Sequence, residues 1–174
     1  AAKLVVLDER ERFSLTPAAA AVLADPDHPA YGMGMFQSLP GDLAALEHLP
    51  ESFRTGIGFD YDAHGPEAAG TSSFEPWNRA NLLPNVLPAL DGVVERLAAG
   101  TDVIDIGCGA GAAAITIGEA FPASRVRGYD ISRHALALAE ERRAAAGLAN
   151  VSFLDPRESP LPSASSRRST ASTT

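Results

Sequence analysis

A single cysteine, Cys108, stands in the 174 residues, so no intrachain disulfide and no cysteine metal cluster can form. Lysine is as scarce: Lys3 is alone among 14 basic residues, the remaining thirteen being arginine. Loose binding of a polyanion needs clustered Lys and Arg, and a net charge of −8 argues against it. No apolar run approaches the roughly 18 residues of a membrane span, and the chain does not start with a basic-then-apolar signal pattern. The four histidines, His28, His48, His64 and His134, lack metal-ligand spacing, so no metal site is expected. These absences predict a reducing, cytoplasmic setting, with no membrane and no nucleic acid as partner. The chain opens on Ala1 rather than Met, as a processed or partial chain would.

What is present is a globular composition, 45% hydrophobic and 21% charged. Residues 3–7 and 12–15 alternate apolar and polar positions around the charged tip DERER, which predicts a hairpin. Thr16-Pro17 then opens a helix over 18–24, with Thr as cap and Pro at the first helical position. A two-stranded hairpin is marginal alone and calls for a neighbour. Residues 31–39 and 41–49 read as helices, 56–77 as a loop-rich segment, and 79–100 as two helices parted near Asp91-Gly92. In the loop, Asp60, Tyr61, Asp62 and His64 form a polar cluster that reads as a solvated loop; the alternative is a cover over a cofactor, with Tyr61 as the contact. Trp77 and Phe74 read as core anchors.

From residue 102 the pattern is β-α-β-α-β: a buried strand over 102–106, a helix over 111–121, a strand over 125–129, a helix over 132–146 closed by Gly147, and a strand from 151 to 154. This is the opening half of a doubly wound parallel sheet, an α/β fold. Between its first strand and helix lies GCGAG, residues 107–111. A glycine-rich strand-to-helix turn aims backbone N–H groups and a helix dipole at a ligand. Asp130, 19 residues beyond Gly111, is spaced to accept hydrogen bonds from two ribose hydroxyls. Gly107, Gly109 and Ala112 also satisfy the GxGxxA form of a dinucleotide fingerprint. Asp105 separates the readings. Its carboxylate would repel a pyrophosphate, since like charges at ~4 Å cost about 1 kcal/mol even in water-like dielectric, whereas it welcomes an ammonium group. Cys108 reads as a packing residue, and the Arg142-Arg143 pair as a solvated helix end favoured by the dipole.

The stretch VIDIGCGAGAAAITIGEAFPASRVRGYDIS, residues 103–132, resembles the cofactor-binding region of class I S-adenosylmethionine-dependent methyltransferases. The resemblance implies that S-adenosyl-L-methionine is the cofactor. It implies that Asp105, Gly107, Gly109 and Gly111 hold its methionine end, that Asp130 binds the ribose, and that Ile131 packs on the adenine. Upstream, LVVLDERERFSLTPAAAAVL, residues 4–23, is similar to the wing hairpin and helix of a winged-helix domain, which some bacterial methyltransferases carry before the catalytic domain and use to form homodimers. The implied organisation is a winged-helix remnant at 1–24, a helical and loop linker at 25–100, an S-adenosylmethionine-binding half-domain with a Rossmann-like partial sheet at 101–155, and a disordered tail at 156–174. The methyl acceptor is unknown, and no residue is assigned as a catalytic base. Two other readings stand beside the methyltransferase: a regulatory protein with a cofactor-sensing domain of this type, and an NAD(P)-dependent oxidoreductase, which Asp105 disfavours.

The family pattern breaks at VSFLDPRESPLP, where Asp155 comes about two residues before the acid that relatives direct at the adenine amino group. That role is not carried onto it. Twelve of the 19 residues from Pro156 to Thr174 are Ser, Thr or Pro, too polar to offset the entropy of ordering. A shifted reading frame explains such text better than a natural extension, because a three-stranded half-sheet leaves an open edge. The flanking DNA tests this: another frame past Val151 is expected to restore a Phe-Asp-apolar strand, and stops or polar text in both other frames would refute it.

Overall fold

The computed structural model describes residues 3–37, 39–66 and 75–161. Strands β1 (Val5–Leu7) and β2 (Phe13–Leu15) form the expected antiparallel hairpin, Val5 opposite Leu15. Helix α1 (Pro17–Leu23) follows, with the Thr16 hydroxyl accepting from the Ala19 N–H at 3.3 Å. The apolar side chains of the hairpin, Phe13 above all, remain exposed among the described residues.

The middle of the chain departs from expectation in its boundaries. Helices α2 (Gly34–Gln37), α3 (Leu39–Ala45) and α4 (Leu49–Thr55) replace the two that the spacing predicts, with a 3₁₀ turn, Leu46–His48, joining the last two. Pro40 and Pro50 begin helices here instead of ending them, because a first-turn proline lacks only an N–H that has no helical partner. The segment expected as loop holds a 3₁₀ turn, Tyr61–His64, and then helix α5 (Glu75–Asn81). Trp77 therefore sits on a helix, and it is 45% exposed rather than a core anchor. Phe74 and the rest of 67–74 lie outside the described residues, as do 162–174 of the expected disordered tail.

After α5 the helix widens over Leu82–Val86, where the Leu87 N–H reaches back five residues to the Leu82 carbonyl at 2.9 Å. Pro84 accounts for this: it cannot donate, and its ring collides with the carbonyl four residues back, so the turn opens. Helix α6 (Val93–Ala99) completes the predicted pair, parted at Gly92.

The sheet is as the pattern predicts. Strands β3 (Asp102–Ile106), β4 (Arg125–Tyr129) and β5 (Val151–Leu154) run parallel in the order β3-β4-β5, connected by helices α7 (Ala112–Ala120) and α8 (Arg133–Ala145). Strand order advancing in one direction with right-handed crossovers puts both helices on one face. That face carries the core. Val126 and Val151 pack with Ala114 and Ile117 of α7, and with Leu82, Leu87 and Leu97 from the preceding helices. The other face explains one correction. β3 is not a buried strand: it is the sheet's edge, its Ile104 side chain is exposed, and Ile106 is 72% exposed.

Two polar side chains that the sequence reading passed over knit this half-sheet. The buried Ser124 hydroxyl donates to the Leu97 carbonyl at 2.7 Å and accepts from the Thr101 N–H at 3.1 Å, tying α6, β3 and β4 at one point. The Asn150 amide donates at 3.0 Å to the Gly118 carbonyl, in the last turn of α7, and to the Ser124 carbonyl just before β4.

Gly118 sets how closely α7 approaches β5: a Cβ there would land on a Val151 methyl. Alanine normally gains about 1 kcal/mol over glycine inside a helix, but overpacking a fitted core costs about 1–3 kcal/mol. Gly118→Ala is therefore expected to lower the urea midpoint of unfolding, by about 1 kcal/mol net. A raised midpoint would show that helix and strand can separate without loss.

Candidate functional site

The carboxyl ends of β3 and β4 carry the site. Past Ile106 the chain turns through residues 107–111, and the N–H groups of Gly107 and Cys108 both donate to the Tyr129 carbonyl, at 2.8 and 3.1 Å. The Gly109 N–H donates to Asp130 Oδ2 at 2.8 Å, and the Ser132 N–H donates to Asp130 Oδ1 at 2.9 Å. Asp130 thus fastens the glycine loop to the start of α8 while each oxygen keeps a further lone pair.

The three loop glycines divide into two kinds. Gly107 and Gly109 hold φ at 74° and 53°, in the left-handed region that costs other residues about 1–2 kcal/mol. A Cβ on either would meet no protein atom within 4 Å, so backbone conformation, not crowding by the protein, demands glycine. Gly111 is a packing glycine as well, since a Cβ there would strike the Phe153 ring and approach Ala139 at 3.2 Å.

Asp105 projects from β3 opposite Gly128 of β4 and is half-buried. No hydrogen bond or ion pair among the described residues reaches its carboxylate. Burial pushes its proton affinity above the ordinary aspartate value, and the charge of Asp130 adds to the effect. The same surroundings, burial first and then Asp105 and Asp130, push the Cys108 thiol up to about 12. A thiol so held is not a nucleophile near neutral pH, in keeping with its reading as a packing residue.

Ile131 lies between Asp130 and the α8 cap and is 57% exposed. Its carbonyl accepts from Arg157 at 2.7 Å, and Arg157 in turn clamps Asp155 at 2.6 Å. The arginine holds the Asp155 carboxyl below the usual carboxylate range and occupies it. Asp155 is thus engaged within the protein.

The polar cluster of the loop does reach this end of the sheet. Asp60 caps the Tyr61–His64 turn through the Asp62 N–H at 3.0 Å. Asp62 accepts from the backbone N–H and the Nε of Arg133, at 3.2 and 3.3 Å. Tyr61 stays half exposed, its ring tilted against His64 at 5.9 Å. His48 and His64 both pack on Phe59, each with ring centroids 4.9 Å apart.

Two long-range contacts at the site escaped the sequence reading. Arg142 is not a solvated helix end: it pairs with Glu75 at 3.1 Å and reaches the Ala110 carbonyl at 3.4 Å, joining α8, α5 and the glycine loop. Arg143 is not solvated either: its side chain is 26% exposed, pairs with Glu140 at 2.7 Å and donates to the Leu148 carbonyl. The Asp62–Arg133 contact spans 71 residues, and no periodicity encodes such a pairing.

An acid whose folded-state proton affinity is raised stabilises the fold only at low pH. That contribution is lost as pH rises through its folded pKa. Above that pKa the unpaired Asp105 charge opposes folding, so Asp105→Asn is expected to raise Tm at pH 7. About 1 kcal/mol corresponds to about 2–4 °C in a chain of this size. The gap should close as pH falls below about 4, where the wild-type carboxyl is protonated too. Thermal melts from about pH 3 to about pH 8 measure both; a variant less stable at pH 7 would reveal a partner for the carboxylate.

No curated protein matches the chain. A family model described as a methyltransferase domain matches residues 97–164. Among solved structures, the chain is similar to an O-methyltransferase of neocarzinostatin biosynthesis, crystallised with S-adenosyl-L-homocysteine and 1,4-dihydroxy-2-naphthoic acid. The TM-score is 0.56 at 17% identity, over 87% of this chain and 48% of that one. An O-methyltransferase family protein from Burkholderia thailandensis gives a TM-score of 0.54 at 15% identity, over 88% of this chain and 46% of that one. The chain thus spans about half the length of these structures. Residues 97–164, from the end of α6 past β5, match a methyltransferase domain, set in an α/β chain whose fold is shared with those two structures.

Proposed function

We propose that the chain is the cofactor-binding part of an S-adenosyl-L-methionine-dependent methyltransferase. The observation that carries the reading is Asp105, a half-buried carboxylate without a partner among the described residues, beside a loop of left-handed glycines. Such a group seeks a cation, and the donor set around it fits the rest of the cofactor. Asp105 would hold the ammonium of the methionine part, and the backbone of residues 107–111 would border it. Asp130 would accept the ribose hydroxyls with its remaining lone pairs, and the exposed Ile131 side chain would cover an adenine face. When bound, the sulfonium supplies the methyl group; the chain's own residues bind and orient it, which is the larger part of catalysis by approximation. A pyrophosphate finds two carboxylates here and no arginine among the residues that form the cradle, which disfavours a nicotinamide cofactor.

The family match supports this reading, as do the cofactor-bound structures to which the chain is similar. The reading includes the organisation stated from the sequence: a winged-helix remnant at 1–24, a linker at 25–100 and the cofactor half-domain at 101–155. A homodimer would follow from a complete winged-helix part.

Titration calorimetry tests the proposal. Heat of binding is expected with S-adenosyl-L-methionine and with S-adenosyl-L-homocysteine, and none with NAD. Asp105→Asn should weaken the affinity at least about tenfold, or about 1.4 kcal/mol. Tighter binding of NAD, or an affinity indifferent to Asp105, would overturn the reading.

A further inference from the structure

The start of α8 is held from two sides. A helix leaves its first four N–H groups without helical partners. Here the Ser132 hydroxyl takes that of Ala135 at 3.1 Å, and Asp62, from a turn far upstream, takes that of Arg133 at 3.2 Å. A carboxylate at a helix N-terminus also complements the dipole. Ser132 is fully buried and is the same residue whose N–H binds Asp130. Asp130 in turn holds the Gly109 N–H. A continuous relay therefore runs from Asp62 through the Arg133–Ser132 backbone to Asp130 and into the glycine loop.

The two bonds to Asp62 are not equal. The Arg133 side chain is 82% exposed whereas that of Asp62 is 13% exposed. An ion pair with so solvated a guanidinium contributes little, so the bond to the Arg133 backbone N–H is the one that matters. The Ser132 hydroxyl is the largest influence holding the Asp62 carboxyl down at about 2, against the opposing effect of burial; the Arg133 groups and the charge of His134 add to it. The carboxylate is ionised throughout the working range of pH.

We propose that Asp62 is a positioning residue of the cofactor cradle: from the Tyr61–His64 turn it fastens the start of α8 and, through Ser132 and Asp130, fixes the Gly109 backbone. It touches no cofactor atom in this role. The inference deepens the proposed function, and it predicts that the linker region, outside the βαβαβ unit, tunes cofactor affinity.

The test compares full-length wild type, Asp62→Ala and Asp62→Asn by amide hydrogen exchange and by calorimetry with S-adenosyl-L-methionine. In Asp62→Ala the amides of Gly109 and Ser132 are expected to exchange about fivefold faster, the effect of one hydrogen bond, while those of Val126 and Tyr129 in β4 hold their wild-type rates. The cofactor should bind about fivefold more weakly. Asp62→Asn keeps an acceptor oxygen and should recover most of both effects. Exchange at Gly109 and Ser132 unchanged in Asp62→Ala, or accelerated equally across β4, would overturn the inference. A wild-type chain that binds no S-adenosyl-L-methionine would overturn the cofactor reading instead, and the exchange comparison would then decide the role of Asp62 by itself.

Discussion

The Asp130 carboxylate is the fastening on which the site depends. Three glycines at positive φ form a loop with little conformational preference of its own. Asp130 removes that freedom by accepting from Gly109 on one oxygen and from Ser132 on the other, while the neighbouring Tyr129 carbonyl takes the Gly107 and Cys108 N–H groups. The end of β4 therefore organises the turn after β3, and the parallel register places the two side by side, Ile106 opposite Tyr129. Removing either strand from the pair would leave the loop without its acceptors.

Asp105 carries the opposite character. Asp130 has its protein donors, whereas Asp105 has none among the described residues and faces the added charge of its neighbour. Two carboxylates a strand apart thus divide the work. One is spent on holding the backbone, and the other is kept unpaired at a cost in stability. Under the proposed function, this unsatisfied carboxylate is the group a ligand's cation would meet.

How much of this was legible follows the range of the interactions. Strands β4 and β5 and the cap at Ser132 were readable to the residue, because alternation, capping and glycine stops act within one element. The glycine loop and its two acids were legible because their spacing along the chain is fixed by one β-α-β unit. Pro40 and Pro50 misled, since a proline reads alike whether it ends one helix or begins the next. Trp77 misled because bulk alone does not show which side of a helix is covered. The pairings of Arg142 and Asp62 were beyond reach for a different reason. Their partners, Glu75 and Arg133, lie 67 and 71 residues away, and charge does not announce its partner.

The bare side of β3 has a consequence for how the molecule behaves in a crowd of its own kind. Among the described residues β3 is an edge strand with two exposed isoleucines, and such an edge is a template for another strand to pair with. Charge stands on it at Asp102, bonded to Arg127 at 2.9 Å with Arg125 nearby at 3.7 Å, and at Asp105 between the two isoleucines. Colloidal solubility then rests on the net charge of −8 carried by the whole chain. Salt, by screening that repulsion, shifts the balance toward self-association at this strand.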